Sequence, residues 1–189
     1  GQYHGVHDYV MFSTASSPIS AMGSRTSPIP VQVGSGIPSK IREYVYCLPF
    51  NDFDAVENCL KDHHGEIAAL LVEPCLGNIV GIEPKDGFLE HLRTLCDKYN
   101  VVLIFDEVKT GFRLSNGGAR ETYDVIPDIS TYAKSLGNGI PVAAFGGKSE
   151  VMNVIGGGSV AHAGTFGGNG VSMSAANAVL DILNETPVL

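Results

Sequence analysis

VVLIF, residues Val101 to Phe105, is an unbroken apolar run that ends on the acidic pair Asp106-Glu107. A run that does not alternate with polar residues is what a strand buried on both faces presents. Upstream, IAALLV (Ile67 to Val72) has the same character and stops at Glu73-Pro74. Between the two lies GFLEHLRTLCDKY (Gly87 to Tyr99), whose Phe88, Leu89, Leu92 and Leu95 recur at helical spacing as one buried stripe. Strand, helix and strand in this order predict parallel pairing and a doubly wound α/β fold.

Working outward, two more strands are expected over Ile129–Ala133 and Val142–Phe145, divided by the turn residues Gly137, Gly139 and Pro141. So short a link cannot make a parallel crossover, and the second strand should run antiparallel to the first. The sheet is therefore mostly parallel with one antiparallel strand, and helices are expected on both faces. Asn51 reads as the N-cap of a helix carrying Phe53, Val56 and Leu60, and further helices are expected around Lys148–Val154 and Ser172–Leu183. Near the start, Asp8–Thr14 is short, apolar and β-rich. Ala15–Lys40, punctuated by Pro28, Pro30, Pro38, Gly23, Gly34 and Gly36, reads as a long loop. No repeat, low-complexity tract or domain boundary is evident.

The 189 residues are 44% hydrophobic, enough to build one ordinary core. With 20 acidic against 12 basic residues the net charge is -8, and no Lys/Arg cluster interrupts it, so nucleic acid and anionic membranes are poor partners. Cys47, Cys59, Cys75 and Cys96 show no CxxC spacing, which fits reduced thiols and a cytoplasmic setting. No apolar run is long enough to span a bilayer.

Open parallel sheets bind ligands at the carboxyl ends of their strands. Three sets of polar residues fall there: Glu73, Asp106-Glu107 and Lys134. Singly, each has a plainer explanation: Asp106 as the cap of a turn, Lys134 as a solvated side chain. Taken together, an acid and a lysine at the ends of consecutive strands face one crevice.

The stretches LIFDEVKTGFR (Leu103–Arg113) and TYAKSLGNGIPVAAFGG (Thr131–Gly147) resemble the two hallmark segments of class III aminotransferases, enzymes dependent on pyridoxal 5'-phosphate (PLP), and most closely the glutamate-1-semialdehyde aminomutase-like branch. The resemblance implies a fold-type-I transferase. It gives Asp106 to the protonated pyridine nitrogen, Lys134 to the Schiff base with PLP (the internal aldimine), and Val108 to the apolar surface behind the ring. PLP is an electron sink only while its ring nitrogen keeps a proton, which a nearby carboxylate secures. Lysine supplies an exchangeable amine that can then carry a proton.

Other segments follow the same pattern. GQYHGVHD resembles the family's G-x-Y-H-G segment, which makes Tyr3 the ring-stacking candidate with His4 beside it, a structural histidine being the alternative for His4. PFND (Pro49–Asp52) and VEP (Val72–Pro74) fit as well. AGTFGGN (Ala163–Asn169) resembles the segment that reaches across a homodimer, so Gly164 and Thr165 are the implied ligands of the neighbouring subunit's PLP phosphate; an ordinary glycine-rich turn is the alternative. Ala161 and Lys109 depart from the aminomutase pattern. The chain is accordingly expected to be the central part of a PLP-binding large domain, lacking the N-terminal phosphate-loop region and the C-terminal small domain. Transfer of an amino group between small amino and keto compounds is the implied activity. An intramolecular glutamate-1-semialdehyde aminomutase and a truncated, non-catalytic relative are the alternatives. No metal is expected: His4 and His7, or His63 and His64, lack the further ligands of a closed site. Cys75 has no neighbour that would activate it.

Overall fold

The computed structural model describes residues 1–189, save for the surroundings of position 156. The chain divides into two compact units, Gly1–Ala68 with Cys75–Asn100, and Ala69–Pro74 with Val101–Leu189. The sequence reading does not anticipate this division, because β3, defined below, leaves the first run of chain to join the second.

In the first unit, Asp8–Thr14 is not a strand. Asp8–Val10 forms a 3₁₀ turn whose Tyr9 amide is met by the His7 ring, and only Phe12 makes an isolated bridge, to Gln32. The expected loop carries a minimal hairpin, β1 (Gly23–Ser24) and β2 (Ser27–Pro28), together with short 3₁₀ turns. Proline and serine hid it, since two-residue strands leave no periodicity. Helix α1 (Phe53–Asp62) starts one residue later than expected. Asp52 is its N-cap, accepting from the Ala55 amide at 3.0 Å. Asn51 instead adopts a left-handed conformation and bonds Glu83 and Lys85. Helix α2 (Phe88–Tyr99) buries all of Phe88, Leu89, Leu92 and Leu95. Phe53 and Phe88 meet edge-on at 5.3 Å between ring centres, joining the two helices.

The second unit is built on one four-stranded sheet, in the order β3 (Ala69–Val72), β4 (Val102–Asp106), β5 (Ile129–Tyr132) and β6 (Ala144–Gly147). The first three are parallel and β6 is antiparallel to β5. Strand β6 begins two residues later than the expected Val142, because Gly137–Pro141 and its flanks use more chain to reverse. A four-residue helix, α3 (Ala119–Thr122), lies on the connection from β4 to β5; α4 (Ser149–Gly156) and α5 (Gly170–Glu185) follow β6. Leu103 and Phe105 are completely buried, the consequence of the apolar run from which the fold was read.

Asp128 fixes the amino-terminal end of the sheet. Its carboxylate accepts from the Leu103 amide at 2.7 Å and pairs with Lys148 at 2.7 Å, while its backbone bonds both Leu103 and Lys148. Among the described residues no helix is long and apolar enough to cross a membrane.

Candidate active site

At the opposite end of the sheet, register brings the candidate residues together. Asp106 is the last residue of β4 and stands opposite Thr131 on β5; Lys134 follows three residues on, at the first turn after the strand. Glu73, directly after β3, continues the same row and is buried. Asp106 is 8% exposed, and its Oδ1 accepts from the Val108 amide at 3.1 Å. The plainer reading of Asp106 as a turn cap is therefore true of one oxygen. Capping a local turn also preorganises the carboxylate, since it fixes the side-chain rotamer.

Lys134 is exposed and has φ 43°, a left-handed conformation that a non-glycine residue adopts at an energetic cost and that collects at functional sites. Its carbonyl accepts from the amides of both Gly137 and Asn138. Gly137 and Gly139 serve this turn for different reasons. At Gly137 a β-carbon would run into the Ile140 carbonyl and the Val142 side chain, whereas Gly139 sits at φ 109°, where side chains are disfavoured.

The segment after Asp106 folds back over the strand ends. Glu107 donates its amide to the Thr131 carbonyl and accepts from the Gly111 amide. A β-carbon on Gly111 would run into the Tyr132 ring, which also meets Phe112 at 5.5 Å. Arg113 reaches Ser135, the neighbour of Lys134, at 3.4 Å. Within this fold the Glu107 carboxyl is completely buried, and burial pushes its pKa up. Sequence reasoning named Glu107 only as part of an acidic pair. No signal along the chain marks it, because its partners come from residues three and twelve positions away.

Gly164 and Thr165 occupy an exposed turn before α5, closed by the Gly167 amide on the Gly164 carbonyl. His162 meets Phe145 of β6 edge-on at 5.2 Å, Asn169 caps α5 through the Ser172 amide, and Ser172 donates to the Pro141 carbonyl at 2.7 Å. The turn is thus attached to the loop that follows Lys134. Tyr3 and His4 belong to the first unit; His4 bonds Gln2 at 3.0 Å and Tyr3 is 41% exposed. Among the described residues no group of histidine, cysteine and carboxylate side chains is arranged to hold a metal ion. His63 is engaged by Tyr46 and Glu66, and Cys75 is half-buried.

A buried carboxylate and an exposed lysine at adjacent strand ends, the lysine followed by a tight glycine turn, suit an aromatic, nitrogen-protonated carbonyl cofactor such as PLP. Comparison with known proteins agrees with this chemistry. The family model for class-III aminotransferases matches residues 1–189. A glutamate-1-semialdehyde 2,1-aminomutase from Methanocaldococcus jannaschii is 42% identical over 186 residues, covering 98% of this chain and 42% of that protein. The solved structure of an omega-transaminase from Sphaerobacter thermophilus superposes with a TM-score of 0.87 at 36% identity, over 97% of this chain and 42% of that one. A transaminase solved with PLP bound gives 0.85 at 30% identity, over 99% and 42%. The chain spans about two fifths of the length of each of these relatives.

Proposed function

Because the chain belongs to the class-III aminotransferase family, we propose that it is the central part of the large domain of a PLP-dependent enzyme that moves amino groups between small amino and keto compounds in the cytoplasm. The observation that carries this reading is the register of Asp106 with Thr131, which sets a buried carboxylate and the Lys134 amine at neighbouring strand ends. When bound, PLP supplies the electron sink for the carbon bearing the amino group. Lys134 is the residue that carries the cofactor and, once released, moves a proton at its Nζ. Asp106 holds the proton on the pyridine nitrogen, with Val108 packed behind the ring. Tyr3 is the stacking residue and His4 stands beside it.

Gly164 and Thr165 hold the phosphate in the neighbouring subunit of a homodimer. Phe166, which follows Thr165, is 82% exposed and offers an apolar ring that a partner subunit would cover.

Identity to an aminomutase at 42% favours a second reading, intramolecular transfer on glutamate-1-semialdehyde. The test of the first claim is spectroscopic and chemical. The isolated chain is expected to be inactive; the full-length protein should bind PLP with a visible yellow band that is lost on borohydride reduction, and peptide mapping should find the pyridoxyl group on Lys134. Mapping to another lysine refutes the assignment. Turnover of glutamate-1-semialdehyde without an added amino acceptor selects the mutase reading; a requirement for a separate donor and acceptor selects the transaminase.

A further inference from the structure

We propose that Glu107 is a positioning residue, a buried clamp that fixes the turn in which Asp106 is held. The functional part of this inference rests on the reading of Asp106 given above. Glu107 Oε2 accepts from the Ala119 amide at 2.5 Å and from the Thr110 hydroxyl at 3.2 Å. Its Oε1 is enclosed with no hydrogen-bond partner among the described residues. Gly118 sits at φ 70° with the place of a β-carbon filled by the same carboxyl group, so residue 118 has no room for a side chain. One side chain thereby ties the start of α3 back onto the end of β4.

The backbone of Glu107 extends that tie to the catalytic side. Its amide is bonded to the Thr131 carbonyl at 2.9 Å and its carbonyl to the Gly111 amide at 2.8 Å, so the peptide planes on both sides of the residue are fixed. Asp106 precedes Glu107, and Val108, the donor to Asp106 Oδ1, follows it. The Asp106 rotamer is held by the Val108 amide only while that amide keeps its place. That amide moves only if the Glu107 peptides do. The clamp therefore holds Asp106 without touching any substrate or cofactor.

The experiment compares Glu107→Ala, Glu107→Gln and Thr110→Val in the full chain. Hydrogen exchange at the Val108 and Gly111 amides is read first, in protein freed of PLP. Loss of the acceptor for the Ala119 amide and the Thr110 hydroxyl should loosen the turn and raise exchange at both amides by roughly tenfold in Glu107→Ala. Glu107→Gln, whose amide oxygen still accepts from Ala119, should stay near the parent. If Glu107→Ala does not fold, Thr110→Val, which removes one donor and keeps the shape, should raise exchange by a smaller factor. Unchanged exchange at both amides in a folded variant overturns the clamp. With PLP bound, the pH profile of the visible band should shift in Glu107→Ala and be restored by glutamine. Raised exchange with an unshifted profile overturns the positioning of Asp106. Absence of any visible band in the parent protein instead sinks the PLP reading, while the exchange result still decides whether Glu107 fixes the turn.

Discussion

Asp106 and Thr131 face each other in register at the carboxyl ends of two parallel strands, and Lys134 lies three residues beyond Thr131. Strand side chains alternate between faces, so a slip of one residue in this pairing would turn Asp106 to the other face of the sheet. The site is thus a property of the sheet register before it is a property of the loops.

Replacing Asp106 by asparagine preserves shape and the bond from the Val108 amide but removes the charge to which the proposed function gives the pyridine proton. PLP should stay bound, and the single-turnover rate with an amino donor should fall by roughly 10²-fold or more. An unaltered rate would mean that Asp106 serves only as a turn cap.

Subunit sharing is tested by mixing. Lys134→Ala and Thr165→Ala proteins should each be inactive. After subunit exchange their heterodimers contain one site with both lesions and one with neither, so activity should reappear. No recovery despite verified exchange would place Thr165 in its own chain's site or away from the phosphate.

At the other end of the sheet, Asp128→Ala leaves the Leu103 amide buried without its side-chain acceptor. Stability should fall by about 1–3 kcal/mol. Lys148→Met removes only the half-exposed partner of the same carboxylate and should cost less than about 1 kcal/mol. Equal losses in denaturant titrations would show that the ion pair, rather than the amide bond, carries the effect.

The Glu107 carboxyl is raised above its ordinary value near 4.5, chiefly by burial, against opposing interactions with the Ala119 amide, the Thr110 hydroxyl, and the Arg120 backbone amide and charge. An acid whose folded value is raised stabilises the fold fully below its unfolded value. That contribution is lost as pH rises from 4.5 through the folded value. Glu107→Gln, which has no proton to lose, should flatten this decline in the midpoint of thermal unfolding measured across pH. A decline of the same slope in the variant would assign it to another group.

Much of this was legible in the sequence because it rests on local pattern. The runs ending at Val72 and Phe105 could only be strands, although β3 is fully buried only at Val72 and exposed at Ala69, and five residues around Gly139 could only reverse the chain. The placing of Asp106 and Lys134 at adjacent strand ends was legible because each follows an apolar or β-rich run directly. Glu107 was not, since its role is written in the positions of Thr110, Gly118 and Ala119 and becomes visible only when the loop closes. The hairpin at Gly23–Pro28 was hidden for the opposite reason: strands of two residues are held by backbone bonds that any side chain permits.

Strand β3 gives the chain a property that no single residue has. Its four residues pair with β4, yet the chain on either side of them belongs to the other compact unit. No one cut can separate the two units. A piece starting at Val101 would carry β4 with its β3-facing edge open, a row of free amides and carbonyls flanking the most apolar segment of the molecule. Such an edge recruits other strands, and limited proteolysis between Ala68 and Val101 should therefore yield fragments that stay associated or precipitate, not two separable soluble halves.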